Sequence, residues 1–489
     1  MGLQVQENRL QRQIVGGDNW KKAKDLGLSH SNGWGTWWWE TGVGKTFATL
    51  LVCLKMLEKN NASIFIIIVP GEELEKQWKN SLKDFIPQKY HQNFQVITVH
   101  KIIETCKTGK RYICNMLIAD ELHEYYTDER LHLFYGNYIV TNYCLGLTAT
   151  YEDINNRYKK IQSILPVVDR IDIEEATKND YISKYIEYNV AVSLTDEEQS
   201  NYKALSDMVA KNLSKFNKGG LELAGKILQG DTKSGKSGKD IAYAYASHNG
   251  WRKDLDLSVP SNFEIMNLWS PSKVIGYAKL LMDNVRERKD LIYKAINKID
   301  YAKNIVIKFD TLKTICFSQS TNFADYLANV INKHYKELDN NSKDTCVVYH
   351  SKLNTIIYTT PEGKEKKKGK TVLKREAIEA IKSGSARIIS TASSLDRGFD
   401  VKDIRLALTT SGTQNPTQYS QRRGRAIRVE NEKNDIVVLI INLYIRGTIE
   451  ENWLRKRQAK SNNVVYWVDN IEDINYTPKN NDVFNLEEI

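Results

Sequence analysis

The chain has 489 residues, too many for one ordinary core. Its 41% hydrophobic and 27% charged residues give the profile of a folded globular protein of two or three domains rather than a disordered one. Lys and Arg outnumber Asp and Glu by 70 to 60, a net charge of +10 that suits a polyanionic partner without requiring one. The longest apolar run, Ile64 to Val69, is far short of a membrane span, and the first residues lack a signal-peptide core. The cysteines (Cys53, Cys106, Cys114, Cys144, Cys316 and Cys346) are scattered with no CxxC pair, so neither a disulfide framework nor a zinc site is expected and a cytoplasmic setting is.

Short β-type runs come first at Gly35–Trp39, Ile64–Val69, Val96–Val99, Met116–Ala119 and Cys144–Leu147. Between the first two, Phe47, Leu50, Leu51 and Leu54 keep a helical spacing just after Lys45-Thr46. The texture changes over 176–300. Thr195 followed by Glu198 predicts a capped helix start, and Lys218–Lys239, with six glycines and no strand pattern, predicts a mobile loop. Strand-like runs return at Thr314–Phe317, Cys346–Tyr349, Arg387–Ser390, Leu406–Thr409 and Ile436–Ile441, interrupted by the Lys-rich patch Pro361–Lys370. Strands separated by helix-length segments, in two blocks, predict two parallel sheets covered by helices, hence an α/β fold.

The chemistry is concentrated in a few segments. Trp39-Glu40-Thr41-Gly42-Val43-Gly44-Lys45-Thr46 follows a strand and opens a helix. Gly42 and Gly44 let backbone N–H groups turn toward phosphate oxygens, Lys45 reaches β- and γ-phosphates, and Thr46 offers a hydroxyl to Mg²⁺. Where this pattern usually starts with Gly or Ala, Trp39 stands. Asp120-Glu121-Leu122-His123 follows the run Met116–Ala119, 75 residues beyond Lys45. Carboxylates at a strand's C-terminal end lie where such sheets bind ligands, so Asp120 suits Mg²⁺ and Glu121 suits polarising the attacking water. Thr148-Ala149-Thr150 is an ordinary strand-end turn by itself, whose hydroxyls could couple the site to a moving neighbour.

In the later block, Gln421-Arg422-Arg423-Gly424-Arg425-Ala426-Ile427-Arg428 puts Gln421, Arg425 and Arg428 on one face if it is helical. Brought in from a second domain, that face would stabilise charge on γ-phosphoryl oxygens; taken alone, such an octamer is more often a solvated basic helix or a nucleic-acid patch. Upstream, Ser390-Thr391-Ala392-Ser393-Ser394-Leu395-Asp396-Arg397-Gly398-Phe399-Asp400 offers hydroxyls to phosphate. Asp396 and Asp400 could reach the ribose of ATP or the facing Thr148–Thr150 segment.

In this order the segments resemble the superfamily 2 helicases, particularly the DExH-type branch that holds phage recombination helicases and the eukaryotic repair-helicase group. WETGVGKT resembles motif I, DELH motif II, TAT motif III, STASSLDRGFD motif V and QRRGRAIR motif VI. Ile68-Val69-Pro70 with Leu74, Gln77 and Trp78 is similar to motif Ia, Val99-His100-Lys101 to Ib and Ile315-Cys316-Phe317-Ser318 to IV. Val348-Tyr349-His350-Ser351-Lys352 is similar to the segment before the family's basic helix.

The resemblance implies ATP and Mg²⁺ between two RecA-like domains, with a nucleic-acid strand, DNA favoured over RNA, across both. It makes Pro70, His100, Lys101, Ser318 and Thr391 strand contacts and Arg425 and Arg428 arginine fingers. Gln13, with Trp20 seven residues on, is similar to the family's adenine-reading glutamine, with Gln11 as a competitor. The expected layout is a RecA-like domain at 1–175, a mainly helical insertion at 176–300 and a second RecA-like domain at 301–489.

Overall fold

The computed structural model describes residues 2–153, 156–231, 234–339, 344–359, 365–392, 401, 403–427, 437–459 and 464–476. Its first sheet is built from β1 (Trp34–Trp39), β2 (Phe65–Val69), β3 (Phe94–Thr98), β4 (Tyr112–Asp120), β5 (Ile139–Thr148) and β6 (Val167–Ile171), in the order β3-β2-β4-β5-β1-β6 with every pair parallel. Parallel strands need crossovers, and the helices Lys45–Lys59, Glu72–Phe85 and Val99–Lys107 supply them. β2, all of whose residues are buried, reads as the unbroken run FIIIV because both faces of such a sheet are covered. The helix expected after Lys45-Thr46 is present, but its buried side is Ala48, Thr49, Leu50, Cys53 and Leu57, turned from the Phe47–Leu54 stripe.

The second sheet takes β7 (Lys184–Val192), β8 (Thr314–Ser318) and β9 (Cys346–His350). A separate antiparallel hairpin follows, β10 (Ile356–Thr359) with β11 (Glu365–Lys368). Then come β12 (Ile388–Ala392), β13 (Leu406–Thr409), β14 (Val437–Ile445) and β15 (Val465–Val468), giving the sheet order β15-β7-β14-β13-β8-β12-β9. Its pairs β8·β12, β9·β12, β8·β13, β13·β14 and β7·β15 run parallel. The fold is therefore the α/β class expected, with two parallel sheets of six and seven strands. Both sheets belong to one compact unit, Met1–Ala191 with Tyr301–Ile489.

The other unit, Val192–Asp300, is helical. It starts later than the expected 176 because Lys184–Val192 is built into the second sheet. Thr195 caps its first helix, Asp196–Leu213, with the reciprocal Thr195–Glu198 box, a device worth about 1 kcal/mol. Val209, Phe216, Ala224, Ile227, Ala242, Ala246, Trp251, Val274, Ala278, Leu281 and Val285 form its core.

The stretch expected to be a mobile loop, 218–239, holds the helix Gly220–Gln229 and the start of Gly238–His248. Its glycines allow close packing instead of looseness. Gly230 ends the first of these helices at φ +82°, and a Cβ on Gly238 would lie 2.2 Å from the Ile227 carbonyl oxygen.

Candidate active site

Residues 40–44 run from the end of β1 to the helix Lys45–Lys59 at the C-terminal edge of the first sheet. Gly42 and Gly44 lie at φ +92° and +96°, where a side chain is strained, and a Cβ on Gly44 would also meet Gln13 Nε2 at 2.6 Å. Lys45 Nζ donates to Trp39 O at 2.9 Å and Glu40 O at 3.4 Å, which holds its ammonium against the loop. The N-terminal helix Gly2–Lys21 forms a second wall. Gln13 Nε2 donates to Val43 O at 2.8 Å, and Arg9 donates through Nε to Val43 O at 3.0 Å and through Nη2 to Gly42 O. Gln13 is buried against the loop and Gln11 is exposed.

Trp39, at the position usually given to a small residue, stacks on Trp37 with ring centroids 4.4 Å apart and donates from Nε1 to Asp169 Oδ2 at 2.6 Å. The facing helix makes room for it at Gly16, where a Cβ would stand 2.2 Å from the Trp39 ring.

Asp120 ends β4, two strands from β1 in the same sheet, so both strand ends open on one edge. Trp78 Nε1 donates to Asp120 Oδ2 at 2.7 Å and Glu121 N donates to Oδ1 at 3.0 Å. Burial, then the neighbouring Glu121 charge, push the Asp120 carboxyl up to about 6, while the Trp78 hydrogen bond and Lys45 oppose the rise. Glu121 adopts the left-handed conformation at φ +53°, uncommon for a residue with a side chain, with its carboxylate partly exposed. His123 Nδ1 lies 3.2 Å from Thr148 Oγ1, which in turn donates to Thr150 O at 2.8 Å and accepts from Thr150 N at 3.1 Å. The DELH and TAT segments are therefore physically joined.

The helix Pro416–Ala426 of the second sheet carries Gln421 and Arg425, both buried and one turn apart on one face. Gln421 Nε2 is a buried donor without a hydrogen-bond partner among the described residues. Arg422 is committed to its own sheet, donating to Ser411 O at 2.8 Å and Ser318 O at 3.2 Å. Arg423 crosses to the first sheet, where Nη2 donates to Glu40 Oε2 at 3.0 Å. Burial alone would lower the Arg423 pKa, and Glu40, Tyr185, Tyr419 and Glu187 around it raise it instead. Gly424 touches the loop itself, for a Cβ there would lie 2.5 Å from Thr41 Cβ. Arg428, Asp396 and Asp400 lie outside the described residues.

Of the positions assigned to a nucleic-acid strand, His100 and Lys101 are exposed at the start of the helix Val99–Lys107. The other three lie deeper. Pro70, Ser318 and Thr391 are buried, and Ser318 Oγ donates inward to Ser320 O at 2.8 Å and Thr391 O at 3.2 Å. Ser318 and Thr391 belong to β8 and β12, which are buried throughout, and Pro70 directly follows β2. Sequence reasoning also passed over Arg9, Glu40 and Arg423, although the last two stood inside the quoted motifs.

The residues fit a nucleotide with a divalent cation. The loop is shaped by glycines that a Cβ would block, Lys45 lies against it, and Gln421 holds an unsatisfied buried donor. Among the described residues no group of three or more His, Cys, Asp or Glu could hold a metal alone. A Mg²⁺ ion shared between Asp120, Thr46, substrate phosphates and water needs no such group.

A glycine-shaped loop on one parallel sheet, touched by an arginine-bearing helix from a second, is an arrangement suited to an ATPase built on two sheets. Residues 8–153 match the family described as type III restriction enzyme, res subunit, and residues 297–430 match the helicase conserved C-terminal domain. Together they place the chain in the superfamily 2 helicase family, whose members are nucleic-acid-dependent ATPases. The DNA 3'-5' translocase XPB2 of Sulfurisphaera tokodaii is 24% identical over 439 residues, which is 86% of this chain and 79% of that protein. The putative ATP-dependent RNA helicase MJ1505 of Methanocaldococcus jannaschii is 23% identical over 93% of this chain, which spans 60% of that protein's length. A variant of Saccharomyces cerevisiae Dbp5, solved bound to RNA and ADP BeF3, shares the fold with a TM-score of 0.50 at 13% identity, covering 92% of this chain and 89% of its own. No helix among the described residues is long and apolar enough to cross a membrane.

Proposed function

We propose that this chain is an ATP-dependent DNA helicase or translocase that hydrolyses ATP between its two sheets and uses the cycle to move along or remodel DNA in a cytoplasmic setting. The observation that carries the reading is the seat of the helix Pro416–Ala426 on the phosphate loop, Gly424 against Thr41, which brings cations of the second sheet to the site.

In this reading Thr41, Gly42, Gly44 and Lys45 bind the phosphates and Gln13 orients the base end of the nucleotide. Mg²⁺ held by Thr46 and Asp120 neutralises phosphoryl charge when bound. Glu121 polarises the attacking water, and Gln421, Arg425 and Arg428 stabilise charge that develops on the γ-phosphoryl oxygens. Asp396 and Asp400 contact the nucleotide or the facing sheet, and Thr148 and Thr150 pass the state of Glu121 to the next element through His123. His100 and Lys101 hold a strand by its phosphates.

DNA is preferred because the XPB2 similarity spans most of both chains and the motif VI style leans toward the repair group. The similarity to a putative RNA helicase supports a second reading, a DExH-type RNA helicase. ATPase assays with single-stranded DNA, duplex, forked DNA and RNA decide between them. Stimulation by DNA supports the proposal, stimulation by RNA alone transfers it to the second reading, and no stimulation by any of the four rejects both.

A further inference from the structure

The ATP-site reading leaves several polar residues unused, and they converge on one place. Glu40 Oε1 accepts from Thr41 N at 2.8 Å, while its Oε2 accepts from Arg423 Nη2 at 3.0 Å. The two side chains are 8% and 5% exposed. The Arg423 guanidinium lies over Tyr419 and Tyr185, 5.3 and 5.8 Å from the ring centroids. Tyr419 Oη donates to the Glu187 carboxylate at 2.5 and 2.6 Å, and Glu187 also accepts from Asn442 at 2.7 Å and Gln458 at 2.8 Å. One residue beyond Arg423, Gly424 meets Thr41. Two consecutive residues of the second sheet's helix thus register with two consecutive residues of the loop.

We propose that Glu40 and Arg423 are a clasp that ties the shape of the phosphate loop to the docking of the second sheet. The proposal rests on the reading of that loop as the ATP site. Both are positioning residues. With Arg423 in place, Glu40 keeps its carboxylate folded onto Thr41 N–H, and the loop holds one geometry. When the second sheet withdraws, Arg423 leaves with Tyr419 and Glu187, and Glu40 is stranded as a buried charge without its countercharge. Its carboxylate then turns to water and releases the Thr41 amide. A nucleic-acid strand that bridges the two sheets favours the docked form, so the clasp converts strand binding into loop geometry.

A double-mutant cycle tests this, with wild type, Glu40→Gln, Arg423→Gln and the double variant assayed for ATPase activity with and without saturating single-stranded DNA. Each single change is expected to cut DNA stimulation about tenfold, mainly through a higher KM for ATP with a smaller fall in kcat. The double variant loses no more than the worse single one, because the residues act as one unit. Arg423→Lys, which keeps the charge, recovers part of the stimulation.

Thermal melts identify any variant that fails to fold. Should Arg423→Gln do so, Glu40→Gln, near-isosteric and on a loop, carries the test alone. Additive losses in the cycle, or wild-type stimulation and KM in Glu40→Gln, overturn the clasp. Wild-type protein without nucleic-acid-stimulated ATPase overturns the ATP-site reading and the clasp with it, so the two failures are told apart by the wild-type assay.

Discussion

The indole of Trp78 donates from Nε1 to Asp120 Oδ2 across 2.7 Å, which joins the helix after β2 to the carboxylate that ends β4. That bond favours the ionised form of Asp120, against burial and Glu121, which push its pKa up from 3.8 to about 6. The folded protein therefore binds this proton more tightly than the unfolded chain does. Its ionisation costs stability as pH rises from about 4 through 6 and adds no further change above that. A divalent cation on Asp120 reverses the sign, since it needs the carboxylate.

Activity supported by Mg²⁺ is thus expected to fall as pH drops through about 6. Trp78→Phe removes the opposing hydrogen bond and should move this acidic limb to higher pH. A pH profile of kcat/KM at limiting Mg²⁺ measures it, because saturating Mg²⁺ would hold the carboxylate ionised to lower pH. An unmoved limb in Trp78→Phe would show that another group sets it.

Lys45→Ala should abolish hydrolysis while leaving the fold intact. Its ammonium makes two bonds to loop carbonyls, worth about 1 kcal/mol each in stability. Glu121→Gln keeps the size and the left-handed backbone but loses the base, so ATP binding persists while turnover drops by about 10² or more. Nucleotide-binding titrations beside steady-state rates separate the two. Near wild-type turnover in either variant would falsify the assignment of the loop.

Much of this was legible because the strand runs are continuous apolar stretches that parallel sheets bury on both faces. All ten expected runs overlap strands. The strands that escaped notice lie where local pattern is weak. β6 is split by Asp169 and Arg170, and β7 pairs with β15 from nearly 280 residues away, a partnership no window of sequence contains. The candidate site residues were legible as motifs, since each is defined by the short segment around it. The clasp was not, because Glu40 and Arg423 stand 383 positions apart and meet only when the sheets are docked. The burial of Ser318 and Thr391 was hidden for the same reason, since it depends on sheet neighbours distant in sequence.

Arg425→Ala should lower kcat by about 10³ while weakening ATP binding far less, because an arginine finger acts mainly in the transition state. The competing role, a grip on nucleic acid, predicts weaker DNA affinity with normal ATPase at saturation. The burial of Arg425 favours the first outcome, since strand phosphates are met at a surface. DNA-binding isotherms and saturated ATPase rates on the same preparation settle which arm fails. The same pair of measurements on Arg428→Ala extends the test to the last residue of the motif.

Within the Lys-rich patch at 361–370, Glu365–Lys368 form one strand of a hairpin, which sets the experiment. β10 and β11 pair Ile356 with Lys368, Ile357 with Lys367, Tyr358 with Lys366 and Thr359 with Glu365. The connection at 360–364 lies outside the described residues. Ile356 and Ile357 are 51% and 58% exposed, Lys367 is exposed opposite Ile357 with exposed Lys366 next to it in the strand, and Lys368, opposite Ile356, is held by Glu376 at 2.7 Å. A solvated ornament has no need for exposed isoleucines beside exposed lysines, whereas a contact with duplex uses both, the lysines on phosphate. Replacing 356–368 by a short Gly-Ser link should therefore lower affinity for duplex and forked DNA while the KM for ATP without DNA stays where it was. The slope of log affinity against log salt should shrink by about 0.9 for each phosphate that the protein no longer neutralises. Lys366→Gln with Lys367→Gln should reproduce that smaller slope with the hairpin intact, which separates charge from shape. If affinity and slope on both substrates match wild type, the hairpin does not touch DNA and its lysines serve only solubility.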